Sequence, residues 1–140
     1  MIAVVICAHG KLATEFINAA EMILGSQEQL EAVGIMPEDG GRKIINDLTS
    51  AVKRSNSGEG VIIFTDMFGG TPTNIGCTLL EDSHVEVVTG INLPALIRVL
   101  NMRNKDKNLS EVAQEAAEYG RRHISVAGDL LRPKKEEETG

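Results

Sequence analysis

Two short stretches of the sequence combine residues that could do chemistry. In the first, AHG, His9 and Gly10 follow the apolar run MIAVVIC. In the second, TDMFGGTPTN, Asp66 follows the apolar run GVIIFT. An imidazole beside a glycine turn can act as a nucleophile or a base. A carboxylate that accepts its Nδ1–H would leave the lone pair on Nε2, and it would stabilise the positive ring formed when Nε2 is modified.

The residues after Asp66 are typical of an anion site. Gly69 and Gly70 allow main-chain N–H groups to turn toward a small anion. A helix predicted to begin at Thr71 and Pro72 would point its free N–H groups the same way, with Thr71 as a possible N-cap. One phosphoryl group would fit such a site. The candidate catalytic residues are His9 and Asp66, and the candidate phosphate-binding residues are Gly10, Gly69, Gly70 and Thr71.

Strands and helices alternate along the chain. Apolar runs predict strands, and amphipathic spacing predicts helices. The predicted strands cover residues 2–8, 30–36, 60–65, 85–89 and 123–128, and the predicted helices cover residues 12–24, 42–54, 71–82, 93–103 and 109–120. Repeated β-α-β units imply a largely parallel sheet with helices on both faces. Ligands of such sheets lie at the carboxyl ends of strands where strand order reverses, so His9 and Asp66 would be neighbours if strands 1 and 3 flank that point.

Helix boundaries have their own signals. Gly25 and Gly120 are predicted to end the helices before them. Asn92 and Asn108 are predicted N-caps, and Glu111 follows Asn108 at the spacing of a capping box. The helix over residues 12–24 is expected to bury one apolar face, composed of Leu12, Phe16, Ala19, Ala20 and Ile23.

Composition excludes several classes of protein. The 140 residues suit one domain, and a net charge of −6 with 3% aromatic residues argues against nucleic-acid binding. No apolar run approaches the ~20 residues of a membrane span and no signal peptide is visible, so a cytoplasmic location is expected. Cys7 and Cys77 are interpreted as reduced, buried residues, and neither a metal motif nor a cofactor is expected.

Other phosphoryl chemistries fit the sequence less well. Neither a P-loop nor a GxGxxG fingerprint is found. A response-regulator receiver would need an acidic pair after strand 1 to hold a divalent cation, where this chain has Ala8, His9 and Gly10. The other two histidines, His84 and His123, are expected at the ends of elements, away from the site.

The chain resembles the enzyme IIA component of the mannose/fructose family of the bacterial phosphoenolpyruvate-dependent sugar phosphotransferase system. The matching stretches are AHG with His9, NAAEMILG (18–25), TDMFGGTPTN (65–74) and TGINLPAL (89–96). The resemblance covers residues 1–128, and residues 129–140 are interpreted as a charged, disordered tail. It implies a three-layer α/β/α fold whose antiparallel fifth strand is exchanged in a homodimer.

The same resemblance implies a histidine phosphocarrier. His9 would be phosphorylated on Nε2 by the phosphocarrier protein HPr, with Asp66 as its orienting partner, and a IIB component would accept the phosphoryl group. Contact with the membrane would be indirect, through IIC and IID components. Two alternatives stay open: the phosphotransfer subunit of a dihydroxyacetone kinase, and a regulatory module whose phosphorylation state a partner senses without sugar uptake.

Overall fold

The structure, a computed structural model, describes residues 1–67, 69–82 and 84–133. The strands are β1 (Ala3–His9), β2 (Leu30–Ile35), β3 (Val61–Thr65) and β4 (Val85–Thr89). The helices are α1 (Leu12–Leu24), α2 (Gly41–Ser55), α3 (Thr71–Cys77), α4 (Leu93–Met102), α5 (Leu109–Arg122) and α6 (Ala127–Leu131). The first eight of these elements alternate between strand and helix, as the sequence predicts.

The four strands form one parallel sheet in the order β2-β1-β3-β4. Chain order therefore reverses beside β1, because β2 lies on one side of it and β3 on the other. Cys7 pairs with Thr65 across β1 and β3. The predicted adjacency of strands 1 and 3 is confirmed, and it brings the residues that follow both strands to the same edge of the sheet.

Helices cover both faces of the sheet, which confirms the three-layer α/β/α architecture. One face of β1 and β3 packs against α1, α4 and α5, with Ile6, Phe64 and Leu96 at the centre of the cluster. The other face packs against α2 and α3 around Val5 and Ile63. Burial on both faces explains why β1 and β3 are continuous apolar runs instead of alternating ones.

Several predicted helix signals are confirmed. Helix α1 ends where expected, and Gly25 follows it with a φ of +83° that a glycine adopts readily. The Asn92 side chain caps α4 by accepting from the N–H of Ala95 at 3.0 Å. The Asn108 side chain caps α5 by accepting from the N–H of Glu111 at 2.9 Å. These signals are local, which is why the sequence alone could reveal them.

The buried face of α1 differs from the prediction. Leu12 and Ile23, both expected inside, are exposed, whereas Ala13 and Ala20 are fully buried. The stripe that faces the sheet is rotated by about one residue from the predicted one, because small alanines allow the helix to lie close to the sheet. The larger side chains that pack against the core from this helix are Phe16, Ile17 and Leu24.

Helix α3 ends at Cys77, five residues before the predicted end at residue 82. The Thr78 hydroxyl donates to the carbonyl of Ile75 at 2.6 Å, and the N–H of Thr78 donates to the same carbonyl. Residues 78–82 then continue with hydrogen bonds that reach three residues back instead of four. The segment is therefore a succession of tight turns, because local bonds of threonine compete with the α-helical pattern.

Helix α5 continues past Gly120 to Arg122, so the predicted end at Gly120 is wrong. Gly120 is instead a packing residue. A Cβ at this position would lie 3.1 Å from both the Ala95 Cβ and the Asn92 Oδ1 of α4 and its N-cap. The Asn92 side chain also donates to the Gly120 carbonyl at 2.9 Å. Close approach of two helices, and not a helix stop, requires glycine here.

The predicted fifth strand over residues 123–128 does not form in this chain. Residues 124–126 have no regular structure, and residues 127–131 form α6. A strand needs a hydrogen-bonding partner, so a single chain does not test its exchange between two subunits. The tail interpreted from residue 129 onward overlaps the end of α6, and its part from residue 134 lies outside the described residues.

The two cysteines differ in environment. Cys7 is fully buried in β1, as predicted, but Cys77 is exposed at the end of α3, which corrects the expectation that both are buried. Among the helices in the described part of the chain, none is long and apolar enough to cross a membrane.

Candidate functional site

His9 is the last residue of β1 and lies at the carboxyl edge of the sheet. Its side chain is 51% exposed, so the ring is open to an approaching group. Gly10 follows with a φ of +60°, and its N–H donates to the carbonyl of Ile35 in β2 at 2.8 Å. A Cβ on Gly34 would lie only 2.7 Å from the Gly10 carbonyl oxygen. Strand β2 therefore supports the turn that carries His9, and it can do so only with glycine at residue 34.

Asp66 directly follows β3 and binds His9 through two hydrogen bonds. Its Oδ2 accepts from the main-chain N–H of His9 at 3.0 Å and lies 2.8 Å from His9 Nδ1. Its Oδ1 accepts from the N–H of Met67 at 3.0 Å. The Asp66 side chain is only 11% exposed, so its orientation is well determined by these contacts. The predicted proximity of the two residues is observed.

The electrostatics of Asp66 favour its charged form. Burial raises the pKa of this carboxyl, but hydrogen bonds from the main chain and ring of His9, followed by the charge of that ring, outweigh it and hold the pKa below its ordinary value. An ionised carboxylate can only accept hydrogen bonds. The proton between the two side chains therefore belongs to Nδ1 of His9, and Nε2 carries the free lone pair when the ring is neutral. This geometry suits a nucleophile or a base.

Three of the predicted phosphate-binding residues, Gly10, Gly70 and Thr71, lie beside this imidazole. A Cβ on Gly70 would lie 3.3 Å from His9 Cε1, so the absence of a side chain lets the ring sit against the start of α3. Gly69 has a φ of +84°. Thr71 and Gly10 line, together with His9, an open depression of about 370 Å³. Gly70, and not Thr71, is the N-cap of α3, which corrects the predicted cap.

The loop between β2 and α2 supplies a wall of the depression that sequence reasoning missed. Met36, Pro37 and Asp39 line it together with Thr71. The Asp39 carboxylate accepts from the N–H of Met36 at 2.9 Å and lies 3.7 Å from Lys43 Nζ. The signal that could have identified this loop is the one used for His9 and Asp66, since it follows the carboxyl end of a parallel strand next to β1.

The remaining histidines lie elsewhere. His84 precedes β4, at the opposite edge of the sheet, where its carbonyl accepts from the N–H of Val61 at 2.8 Å. His123 caps the end of α5, stacks on the Tyr119 ring with centroids 3.8 Å apart, and its Nδ1 lies 2.7 Å from the Tyr119 carbonyl. Both stand at element ends, as predicted.

A thiol nucleophile is not available beneath the site. Burial, and secondarily the negative charge of Asp66, raises the pKa of Cys7 to about 12, so this thiol stays protonated. Within the described residues, no group of three or more His, Cys, Asp or Glu side chains is arranged to hold a metal ion. The His9 side chain, which is half exposed, remains the candidate nucleophile at this edge of the sheet.

Curated proteins resemble this chain over most of its length. The chain is 32% identical over 126 residues to the "PTS system mannose-specific EIIAB component" of Escherichia coli (strain K12), covering 89% of this chain and 39% of that protein. The chain thus spans about two fifths of the length of that relative. It is 28% identical to the "PTS system fructose-specific EIIA component" of Bacillus subtilis (strain 168), and the match covers 99% of each chain.

Two solved structures share the fold. The EIIA component from Streptococcus agalactiae aligns with a TM-score of 0.84 at 21% identity, covering 92% of this chain and 99% of that one. The mannose/sorbose-specific IIA subunit from Enterococcus faecalis aligns with a TM-score of 0.82 at 22% identity, covering 96% and 98% of the two chains. Residues 3–117 match the EIIA-man family, described as "PTS system fructose IIA component". The chain belongs to this family.

Proposed function

We propose that this protein is a histidine phosphocarrier of a sugar phosphotransferase system, which accepts a phosphoryl group from phospho-HPr on His9 and passes it to a IIB component. Membership in a family described as a IIA component supports a phosphotransfer role. The observation that carries the proposal is the 2.8 Å contact between His9 Nδ1 and Asp66 Oδ2, which directs the free lone pair of a half-exposed ring outward. Sugar uptake would be the outcome of the relay.

The proposed transfer passes the phosphoryl group from one imidazole to another and needs neither a metal nor a nucleotide. The His9 Nε2 lone pair attacks the phosphorus of the phosphohistidine on HPr. The nitrogen–phosphorus bond of the donor breaks as the new bond to Nε2 forms, and the donor imidazole leaves with the electron pair. The His9 ring then carries a positive charge with Nδ1–H retained, and the Asp66 carboxylate stabilises that cation. A nucleophile of the IIB component then attacks the phosphorus. The bond from phosphorus to Nε2 breaks, and the His9 ring leaves with the electron pair and is neutral again.

Gly10, Gly69, Gly70 and Thr71 are proposed to contact the phosphoryl oxygens. Gly70 and Thr71 stand at the start of α3 beside the imidazole, and Gly10 shares the depression with His9. Main-chain N–H groups without intervening side chains can approach a phosphate closely. A methyl group on Gly70 would press on His9 Cε1 and displace either the ring or the loop.

A homodimer is part of the proposal. Strand β4 is an edge of the described sheet, and a groove of about 330 Å³ runs between it and α5. The segment after α5 exposes Ile124, Val126, Leu130 and Leu131. Such a segment could add a strand to the open edge of a partner, which would protect both apolar side chains and unpaired main-chain groups. The functional domain would then comprise residues 1–128.

The remaining partners follow from the same proposal. The protein would act in the cytoplasm, where HPr and a IIB component could both reach His9, and it would meet the membrane only through IIC and IID components. The relatives are named for mannose, fructose and sorbose.

The decisive experiment is phosphorylation in a purified system. Incubation with phosphoenolpyruvate, enzyme I and HPr should place one phosphoryl group on the peptide that contains His9, and the product should be labile in acid and stable in base. The His9→Ala variant should remain unphosphorylated, whereas the His84→Ala and His123→Ala controls should behave as the wild type. Undiminished phosphorylation of His9→Ala would contradict the assignment.

The same system tests the proposed lack of a metal requirement. Transfer from purified phospho-HPr should proceed at the same rate in excess EDTA, because main-chain groups and Asp66 supply the required electrostatic stabilisation. Loss of transfer on chelation, restored by magnesium, would favour receiver-like chemistry. Transfer to dihydroxyacetone kinase partners but not to a IIB component would instead support that alternative function.

A further inference from the structure

The Thr73 hydroxyl is buried behind the loop that carries Asp66. Thr73 is 2% exposed and lies in the first turns of α3. Its Oγ1 donates to the main-chain carbonyl of Met67 at 2.5 Å and lies 2.6 Å from the Oγ1 of Thr65, which is fully buried at the end of β3. A hydroxyl has one proton and a carbonyl can only accept. Thr73 therefore donates to Met67, and Thr65 is the donor in the bond between the two hydroxyls.

Met67 links these buried threonines to the site. Its carbonyl accepts from Thr73, and its N–H donates to Asp66 Oδ1 at 3.0 Å. The other carboxylate oxygen of Asp66 accepts from His9, at 3.0 Å from the main chain and 2.8 Å from Nδ1. A continuous series of hydrogen bonds thus runs from Thr65 through Thr73, Met67 and Asp66 to the imidazole.

The far end of this series is anchored in the sheet. Thr65 pairs with Cys7 of β1 and with Thr89 of β4, so its position is held from both sides. The near end is the segment that joins β3 to α3, which contains Gly69 and Gly70. Glycines give such a loop many accessible conformations, only one of which presents the carboxylate to Nδ1. The two buried hydrogen bonds of Thr73, to Thr65 and to Met67, connect the sheet, α3 and the loop and favour that conformation.

We propose that Thr73 is a positioning residue for the phosphoryl transfer. Its hydroxyl holds the main chain of Met67 in place, so that Asp66 orients the His9 ring with its proton on Nδ1. The proposal rests on the proposed role of His9 as the phosphoryl carrier. Thr73 acts only through Met67 and Asp66 and does not touch the phosphoryl group. Its removal would allow the carboxylate to drift, and the ring would then populate the opposite tautomer, in which Nε2 carries the proton and cannot attack phosphorus.

The primary test compares Thr73→Val with Thr73→Ser. Valine keeps the shape but removes the hydroxyl, and serine restores it. The nitrogen chemical shifts of the His9 ring, measured by NMR without any phosphoryl donor, should report one Nδ1–H tautomer in the wild type and in Thr73→Ser, and a mixture in Thr73→Val. Single-turnover transfer from phospho-HPr should be about 10-fold to 100-fold slower in Thr73→Val, the range expected for a misplaced reacting group.

A matched control separates positioning from general loss of a threonine hydrogen bond. Thr78 also lies at α3, and its hydroxyl donates to a main-chain carbonyl, that of Ile75, at 2.6 Å. This bond does not involve the Asp66 loop. Thr78→Val should therefore keep the wild-type tautomer and transfer rate. A loss in Thr78→Val as large as that in Thr73→Val would overturn the proposal.

A double variant separates positioning from stability. Thr73→Val leaves the buried Thr65 hydroxyl without its acceptor, whereas Thr65→Val/Thr73→Val removes both hydroxyls together. The double variant should unfold at a higher temperature than Thr73→Val and yet remain slow, with mixed tautomers. Recovery of both the melting temperature and the transfer rate would show that Thr73 only stabilises the fold, and the positioning role would be wrong.

The two hypotheses fail in distinguishable ways. If the wild type is not phosphorylated on His9, the proposed function fails, while the NMR measurement still decides whether Thr73 controls the tautomer. If His9 is phosphorylated but Thr73→Val keeps a single Nδ1–H tautomer and the wild-type rate, the positioning role fails and the proposed function stands.

Discussion

His9 and Asp66 are in contact but differ in exposure and in proposed role. The imidazole is half exposed and the carboxylate is almost covered, so one can meet a partner protein while the other stays in place. Both oxygens of the carboxylate accept hydrogen bonds, which limits its rotation. At this scale, the proposed chemistry depends on which ring nitrogen carries the proton.

Asp66→Asn should slow transfer without unfolding the protein. The amide has nearly the same shape, but it does not stabilise a positive ring and it can donate to Nδ1, which favours the wrong tautomer. The rate of transfer from phospho-HPr is expected to fall by ~10²–10⁴-fold. Rapid-quench measurement of single-turnover transfer tests this effect. A wild-type rate would indicate that Asp66 serves only to hold the turn.

The lowered pKa of Asp66 also predicts how stability depends on pH. A carboxyl whose pKa is lower in the folded state contributes stability that is fully present above its unfolded pKa, about 3.9, and is lost as pH falls through the folded value. The difference in melting temperature between wild type and Asp66→Asn should therefore shrink as the pH falls below about 4. A difference that grows with acidity would contradict the assigned direction.

At the scale of elements, the turn that carries His9 depends on a close approach between strand β2 and that turn. Gly34 in β2 faces the Gly10 carbonyl so closely that an added methyl group would overlap it at 2.7 Å. The strand can yield only by moving the turn, and that turn carries His9. The geometry of the site is therefore sensitive to a residue that does not itself touch the imidazole.

Gly34→Ala should both destabilise the protein and slow transfer. Overpacking of this kind costs about 1–3 kcal/mol in the free energy of unfolding, because main-chain atoms must shift. Chemical denaturation and single-turnover transfer measure the two effects. Gly41→Ala is the matched control, since a methyl group there, inside α2, meets nothing within 4 Å. Equal behaviour of the two variants would show that the turn is not supported by β2.

At the scale of the whole molecule, the apolar segment after α5 remains without cover in a single chain. Ile124 is 74% exposed and Val126 is 67% exposed. The groove along β4 contains the apolar residues Val88, Ala113 and Ala117, with polar and charged side chains beside them. In the proposed dimer, each chain could cover the exposed apolar segment of the other.

The Ile124→Asp/Val126→Asp variant should convert the proposed dimer to a monomer, because buried charges without partners oppose association. Sedimentation equilibrium at micromolar concentration should give twice the chain mass of 15.1 kDa for the wild type and about one chain mass for the variant. Met22→Asp is the control, since Met22 is an exposed apolar residue of α1 on another part of the surface. A wild-type mass near one chain would rule out the dimer.

The sequence by itself determined the features that depend on near neighbours. The apolar runs of β1 and β3 are long enough to be recognised, and each is followed at once by the residue of interest, His9 or Asp66. The asparagine caps before α4 and α5 could also be predicted from the sequence, because a cap bonds to an N–H only three residues away. These signals predicted the class of fold and the candidate site together, since parallel strands gather their carboxyl ends at one edge.

Only the tertiary structure decided what depends on contacts between distant residues. Gly120 looked like a helix stop and is a packing residue against α4, and the buried stripe of α1 is rotated from the predicted one. The support of Gly34 beneath the His9 turn, and the series of hydrogen bonds from Thr73, could not be anticipated. Each of these contacts joins residues that are separated in the chain. The distances between those residues depend on how the whole sheet and its helices pack.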